Sequence, residues 1–260
     1  MMRSFPLFSR AATRTRLTGG NIPYLFRQKG MISVNGSTLR PGGLSLTASA
    51  VEICGFERGA AILDAGCGFG MTGRYLRDVH GLAVTGLDTD SAMLQAAGEK
   101  ESPKGEGITY CQGRLPALGF AEKSFNGIFC ECVLSQLDDK AACLEEFARV
   151  LQPAGMLVIT DLYVPMCYTG MIRGLTQGAN EETCLSGALS MVELIRLIDE
   201  NGFQIEFMED YTPLLKQLYG HMIFEPGVTA AQPVLSAAAD AFRKGRLKPG
   251  YCIIIARRYS

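Results

Sequence analysis

From residue 47 to the end of the chain, short apolar runs alternate with helix-patterned segments, and glycine stands at many of the hand-over points. Ala60–Asp64, Leu82–Leu87, Ile108–Gln112, Ile128–Cys132 and Met156–Thr160 are 5 or 6 residues long and largely apolar, as strands buried on both faces must be. Between them lie helix signals. Ser49 with Glu52 makes a capping box for a helix ending near Gly55, and Arg74–Val79 closes on Gly81. Asp90 or Ser91 caps a helix running to about Glu99. Asp138 opens another whose Ala141, Leu144, Phe147, Ala148 and Leu151 form one apolar stripe before the turn at Pro153-Ala154-Gly155. Ser190 and Glu193 form a further capping box, Gly202 ends that helix, and Phe203–Met208 and Tyr251–Ala256 are the last strands. Strand–helix alternation of this kind predicts an α/β protein with an open, mostly parallel sheet covered by helices on both sides.

The segments outside this rhythm set the expected organisation. A basic N-terminal arm and cap occupies 1–46, and one domain occupies 47–260 with insertions at about 162–189 and 210–249. The first 40 residues hold seven basic side chains and no acid. The rest therefore carries 18 basic against 26 acidic residues, a net charge of −8. An acidic body repels phosphate backbones, so nucleic acid is not the expected partner. No stretch approaches the roughly 18 apolar residues of a membrane span. The Arg-, Ser- and Thr-rich opening also has the composition of an organelle transit peptide, although a frayed arm is the plainer expectation. Nine cysteines, an odd number without a Cys-x-x-Cys pair, fit reduced buried thiols in the cytoplasm. Cys130 and Cys132, two apart on a strand, should face one way, but no histidine cluster joins them and no metal is expected.

The turn after the first strand, Asp64-Ala65-Gly66-Cys67-Gly68-Phe69-Gly70-Met71-Thr72-Gly73, bears on the cofactor. Gly68-x-Gly70-x-x-Gly73, with Asp88 20 residues after Gly68, matches the dinucleotide fingerprint of nicotinamide enzymes. Asp64 speaks against a pyrophosphate, because a carboxylate at the mouth of a glycine turn weakens the positive potential that holds phosphate. A cofactor with a cationic amino-acid end and an adenosine, S-adenosylmethionine, suits the same turn. Asp64 would then support the cationic half and Asp88 the ribose hydroxyls.

Four segments in order, Asp64-x-Gly66-x-Gly68-x-Gly70, Leu87-Asp88-Thr89-Asp90-Ser91-Ala92-Met93-Leu94, Ser124-Phe125-Asn126-Gly127-Ile128 and Arg149 through Leu157, resemble the class I, Rossmann-like S-adenosylmethionine-dependent methyltransferases. The nearest branch is similar to the quinone-biosynthesis C-methyltransferases. The resemblance is close over 60–161 and loose beyond. A fainter one, through Arg40-Pro41-Gly42-Gly43-Leu44 and Cys130 to Ser135, is to a bacterial methyltransferase subgroup without a named substrate. The family implies a three-layer sandwich whose seven-stranded sheet has an antiparallel last strand. It also implies that Asp64, Ala65, Gly66, Cys67 and Gly68 contact the methionine half. Asp88 and Thr89 would take the ribose, and Met93, Gly113, Arg114 and Leu115 would lie around the adenine. Glu131 and Cys132 would border the sulfonium. Two positions depart from the family: Arg114 stands where many relatives place an acid, and Asn126 replaces the usual aspartate and reads as structural.

Methyl transfer is an in-line displacement that depends on holding the nucleophile near the methyl group. A base is required only when the acceptor must lose a proton. Asp161 and Tyr163, just past the fifth strand, and His221 in the late insertion are the candidates, whereas His80 reads as a helix-end cation. Tyr163, Met166, Tyr168, Met171, Tyr211, Tyr219, Met222 and Phe224 suit an apolar or aromatic small molecule, and Arg40 and Arg173 are either substrate-holding or solvated. The acceptor atom stays open, as does assembly, with a homodimer among the options. A catalytically silent S-adenosylmethionine-binding module and a nicotinamide oxidoreductase are the alternatives.

Overall fold

The computed structural model describes residues 40–100, 107–166, 187–224 and 248–259, with side chains of the last helix described as far as Leu218. The chain divides into Met1–Met31 and Ile32–Ser260, and every described residue lies in the second unit. In chain order the elements are α1 (Gly43–Cys54), β1 (Ala61–Ala65), α2 (Met71–His80), β2 (Ala83–Asp88), α3 (Ser91–Glu99), β3 (Thr109–Gln112) and β4 (Phe125–Glu131). A 3-10 turn (Leu134–Gln136), α4 (Lys140–Val150), β5 (Leu151–Val164) and the two-residue β6 (Leu189–Ser190) follow. The chain continues through α5 (Met191–Glu200), β7 (Phe203–Asp210), α6 (Thr212–Phe224) and β8 (Gly250–Arg258).

The strands pair in the order β3-β2-β1-β4-β5-β8-β7, with β6 added beside the end of β5. β1 through β5 run parallel, and β8 is antiparallel to both β5 and β7, as expected of the last strand. Two faces explain the apolar runs. Along β1, β4, β5 and β8, Leu63, Ile128, Cys130, Leu157, Ile159, Cys252 and Ile254 join α4 and α5 in one core. Their neighbours Ile62, Phe129, Met156, Val158, Ile253 and Ile255 join α1 and α2 in the other. Side chains alternate sides along a strand, so a sheet covered twice needs apolar residues at consecutive positions.

The helix signals hold where the cap acts locally. Asp90 accepts from the N–H groups of Ala92 and Met93, Ser190 and Glu193 form the reciprocal box, and Gly81 follows α2 in the left-handed conformation. Three expectations are corrected. Ser49 is no cap but an interior residue of α1 whose hydroxyl donates to the Ser45 carbonyl at 3.2 Å, so α1 starts at Gly43 and a boundary at 46/47 falls inside it. Asp139, not Asp138, caps α4. Cys130 and Cys132 diverge, because Cys130 is core while Cys132 has left β4 with φ 58°. Of the two insertions, β5 extends to Val164 and α6 fills 212–224, whereas 167–186 and 225–247 lie outside the described residues.

Candidate functional site

The strand order reverses at β1, which has β2 on one side and β4 on the other, so the crevice lies beyond the carboxyl ends of β1, β2 and β4. The turn 66–70 leaves β1 there. The N–H groups of Gly66 and Cys67 both donate to the Leu87 carbonyl, at 2.7 and 3.0 Å, which folds the turn over the end of β2. Gly66 has φ 80°, and a Cβ there would be driven into the Val133 methyls, so conformation and space both demand glycine.

Asp88 organises this edge. One carboxylate oxygen accepts the Gly68 N–H at 2.8 Å and the other the Asp90 N–H at 3.0 Å, tying the turn to the start of α3. Each oxygen keeps a further lone pair. Thr89 follows, its carbonyl accepting from Gln112 at 3.1 Å. Met93 on α3 is half-buried, and its sulfur, at 3.9 Å from where a Cβ on Gly68 would sit, is the one atom within 4 Å of it among the described residues other than Gly68's own chain neighbours. Gly113 donates to the Asp88 carbonyl at 3.0 Å, Arg114 is exposed, and Leu115 is buried. Asp64, Ala65, Gly66, Cys67, Gly68, Asp88, Thr89, Met93, Gly113, Arg114 and Leu115 thus lie in or just after the carboxyl ends of β1, β2 and β3 or in the start of α3.

Asp64 does not stand open at the mouth of the turn. It is 3% exposed and accepts the Gly73 N–H of α2 at 3.1 Å. Burial, reinforced by the charge of Glu131, pushes its carboxyl up to about 7 against the opposing pull of Arg40 and the Gly73 amide. Burial also raises the Cys67 thiol. Glu131 likewise is engaged by neighbouring side chains. Its carboxylate accepts from Thr47 at 3.1 Å and Thr72 at 2.8 Å and pairs with Arg40. Arg40, expected to be substrate-holding or solvated, is instead buried. Burial works against its charge, yet Glu131, with a smaller contribution from the Tyr251 hydroxyl group, holds its pKa above the ordinary value. The sequence reading missed Thr47, Thr72 and Tyr251. Hydroxyls 7 and 32 residues from Arg40 give no local signal.

Near the acceptor side, Cys132 contacts the Tyr251 hydroxyl at 3.1 Å, and that hydroxyl donates to Thr160 at 3.0 Å. Asp161, a candidate base, accepts from the Ser135 N–H, the Ser135 hydroxyl and the Leu162 N–H at 2.7, 2.6 and 2.7 Å. Two of these bonds tie it to the turn 134–136; burial outweighs all three and raises its carboxyl pKa. The Tyr163 hydroxyl donates to Asp210 at 3.3 Å, and Gly250 lies against its ring. His221 lies on α6, but its side chain is outside the described residues, as are Tyr168, Met171 and Arg173. His80 ends α2 beside the Tyr75 hydroxyl at 3.4 Å, at the opposite end of that helix from the glycine turn. Asn126 is structural: it accepts from the Ala61 N–H at 2.8 Å and donates to Gln152 at 2.9 Å, joining β1, β4 and β5. Among the described residues no group of three or more metal-ligating side chains occurs.

A sequence profile described as a methyltransferase domain matches residues 63–159. The chain is 31% identical over 207 residues to the O-methyltransferase resE of Aspergillus sclerotiorum, covering 77% of this chain and 76% of that protein. It is 36% identical over 118 residues to the uncharacterized methyltransferase YodH of Bacillus subtilis, covering 45% of this chain and 50% of the relative, so it spans about half the length of that protein. Among solved structures, phosphoethanolamine N-methyltransferase 2 of Haemonchus contortus, in complex with S-adenosyl-L-methionine, superposes with a TM-score of 0.65 at 18% identity over 86% of this chain and 54% of that one. The [4+2]-cyclase SpnF superposes with a TM-score of 0.64 at 19% identity over 82% and 80% of the two chains. The structures establish the fold, and the resE match, above 30% identity over about three quarters of both chains, establishes the kinship: the chain belongs to the class I, Rossmann-like S-adenosylmethionine-dependent methyltransferases.

Proposed function

We propose that the protein binds S-adenosylmethionine over the turn 66–70 and transfers its methyl group to a small-molecule acceptor by in-line displacement. The observation that carries this reading is the pairing of two carboxylates with one bare turn: Asp64 lies buried behind it and Asp88 holds the Gly68 N–H at 2.8 Å. Phosphates on those amides would meet two acids, whereas a cationic end would be attracted to them. The residues fit the cofactor. Gly68 opens on space bounded by the Met93 sulfur, and the spare lone pairs of Asp88 face ribose hydroxyls well.

When bound, the cofactor supplies an electrophilic methyl on a sulfonium. The chain's own residues orient and enclose. Asp88 and the Gly66–Gly68 backbone fix the nucleoside, while the strand ends at Glu131–Cys132 and Thr160–Val164 border the acceptor side. With Asp161 and Tyr163 both hydrogen-bonded, the favoured acceptor is one that needs little help losing a proton. The relatives' names include O- and N-methyltransferases, which supports a small-molecule acceptor without choosing its atom. The described cysteines are all free thiols, which supports a reducing, cytoplasmic setting. No helix among the described residues is long and apolar enough to cross a membrane.

Isothermal titration tests the reading. S-adenosylmethionine should bind and NADH should not, and Asp88→Ala should weaken binding by about 1–3 kcal/mol, the range for a lost charge-assisted bond. Binding of NADH in preference would overturn it.

A further inference from the structure

Two carboxylates from neighbouring strands hold the first turn of α2. Asp64 on β1 accepts the Gly73 N–H at 3.1 Å, and Glu131 on β4 accepts the Thr72 hydroxyl at 2.8 Å. Two acids buried together repel each other and lose their hydration, so the arrangement requires a cation. The cation is Arg40, which comes from the segment before α1, outside the strand–helix core. Arg40 pairs with Glu131 and donates to Thr47 at 2.6 Å and Thr72 at 3.1 Å, with side chains 8% and 4% exposed for Arg40 and Glu131. Its Nε is buried without a hydrogen-bond partner among the described residues. An unsatisfied buried donor is costly, so what the site retains in Arg40 is its charge and its reach across three elements.

We propose that Arg40 is a positioning residue of the cofactor pocket: acting through Glu131, it fixes the first turn of α2 behind the glycine turn and sets the charge that a cationic cofactor meets. The proposal rests on the S-adenosylmethionine reading above. The ionisable groups that face Asp64 are Glu131 from β4, Arg40 from before α1, Asp88 from β2 and Cys67 from the turn. Arg40 itself also faces Tyr251 from β8 and Cys132 after β4. A cationic ligand binds best when Asp64 is ionised, so affinity rises with pH through the titration of that carboxyl. Removing the positive neighbour must move this rise to higher pH, and removing the negative neighbour must move it lower.

The test is calorimetric titration of S-adenosylmethionine into wild type, Arg40→Met, Glu131→Gln and the double variant, over a pH series spanning neutrality, with thermal melts alongside. Arg40→Met should move the midpoint of the affinity rise up by about one pH unit, which is about tenfold weaker binding below it. Glu131→Gln should move it down, and the double variant should return it near the wild-type value. A merely structural pair would lower the melting temperature of the single variants and leave the midpoint in place. A midpoint unmoved in either single variant, or moved the same way in both, overturns the proposal. Should Arg40→Met fail to fold, Glu131→Gln, which keeps the guanidinium, decides the matter by whether its midpoint falls. Wild-type protein that binds no S-adenosylmethionine refutes the cofactor reading itself, a separate outcome.

Discussion

Gly66→Ala and Gly68→Ala, two residues apart in one turn, should fail for different reasons. Both positions have positive φ, 80° and 50°, so alanine at either pays the left-handed strain of roughly 1–2 kcal/mol. Their surroundings differ. At Gly66 the new methyl is forced into Val133 Cγ2, with Cγ1 at 3.3 Å, and overpacking of this kind adds about 1–3 kcal/mol. At Gly68 the methyl meets, among the described residues beyond its chain neighbours, only the Met93 sulfur at 3.9 Å, an ordinary contact. Gly66→Ala should therefore cost about 2–5 kcal/mol in denaturant unfolding, roughly 5–15 °C in melting temperature for a domain of this size. Gly68→Ala should cost about 1–2 kcal/mol in stability and show its larger effect in S-adenosylmethionine affinity, because its methyl projects where the cofactor is placed. The control is Val133→Ala. Combined with Gly66→Ala it removes the clash, so the cycle should show a favourable coupling of about 1–3 kcal/mol. Equal stability losses for the two glycine variants, or no coupling to Val133, would refute the assignment of Gly66 to steric contact with the end of β4.

Two further outcomes follow from the buried acids. Asp64 titrates near 7 when folded against about 3.9 unfolded, so the folded state binds the extra proton between these values. Stability of the free protein should then be fully present at acid pH and fall by about 4 kcal/mol as pH rises from about 4 to about 7, and Asp64→Asn should flatten that slope in urea titrations; an unchanged slope would refute it. Asp161→Asn should lower the melting temperature, at a cost of about 1–3 kcal/mol for mismatching donors that now meet an amide, with S-adenosylmethionine affinity retained. A variant as stable as wild type but devoid of turnover would make Asp161 the base rather than a brace.

The segments whose structure depends on neighbours in sequence were legible. The caps at Asp90 and Ser190 act within three residues, and the apolar runs of β1, β4, β5 and β8 mark strands covered on both faces whatever lies above them. Ser49 misled because a serine and a glutamate three residues apart look alike inside a helix and at its start. What decides between them is whether the chain before Ser49 is helical, and the left-handed Gly42 places that start at Gly43. Asp139 displaced Asp138 by a single step of the same cap chemistry.

The turn from Asp64 to Gly73, its place after the first strand and Asp88 at the end of the second are properties of the chain alone, since steric freedom at glycine and the parallel crossover act over short spans. The roles of the acids came only with the fold. Asp64 and Glu131 look like open strand-end carboxylates in sequence. In the structure both are buried, because Arg40, 91 residues before Glu131, folds between Thr47 of α1 and Thr72 of α2 and supplies a positive charge that lets them share the site. Asp161 looks like an open carboxylate in sequence, and in the structure it accepts two hydrogen bonds from Ser135, 26 residues earlier. Local chemistry is written in neighbours, but the protonation and availability of a buried carboxylate depend on which distant charge and which donors the tertiary packing brings to it.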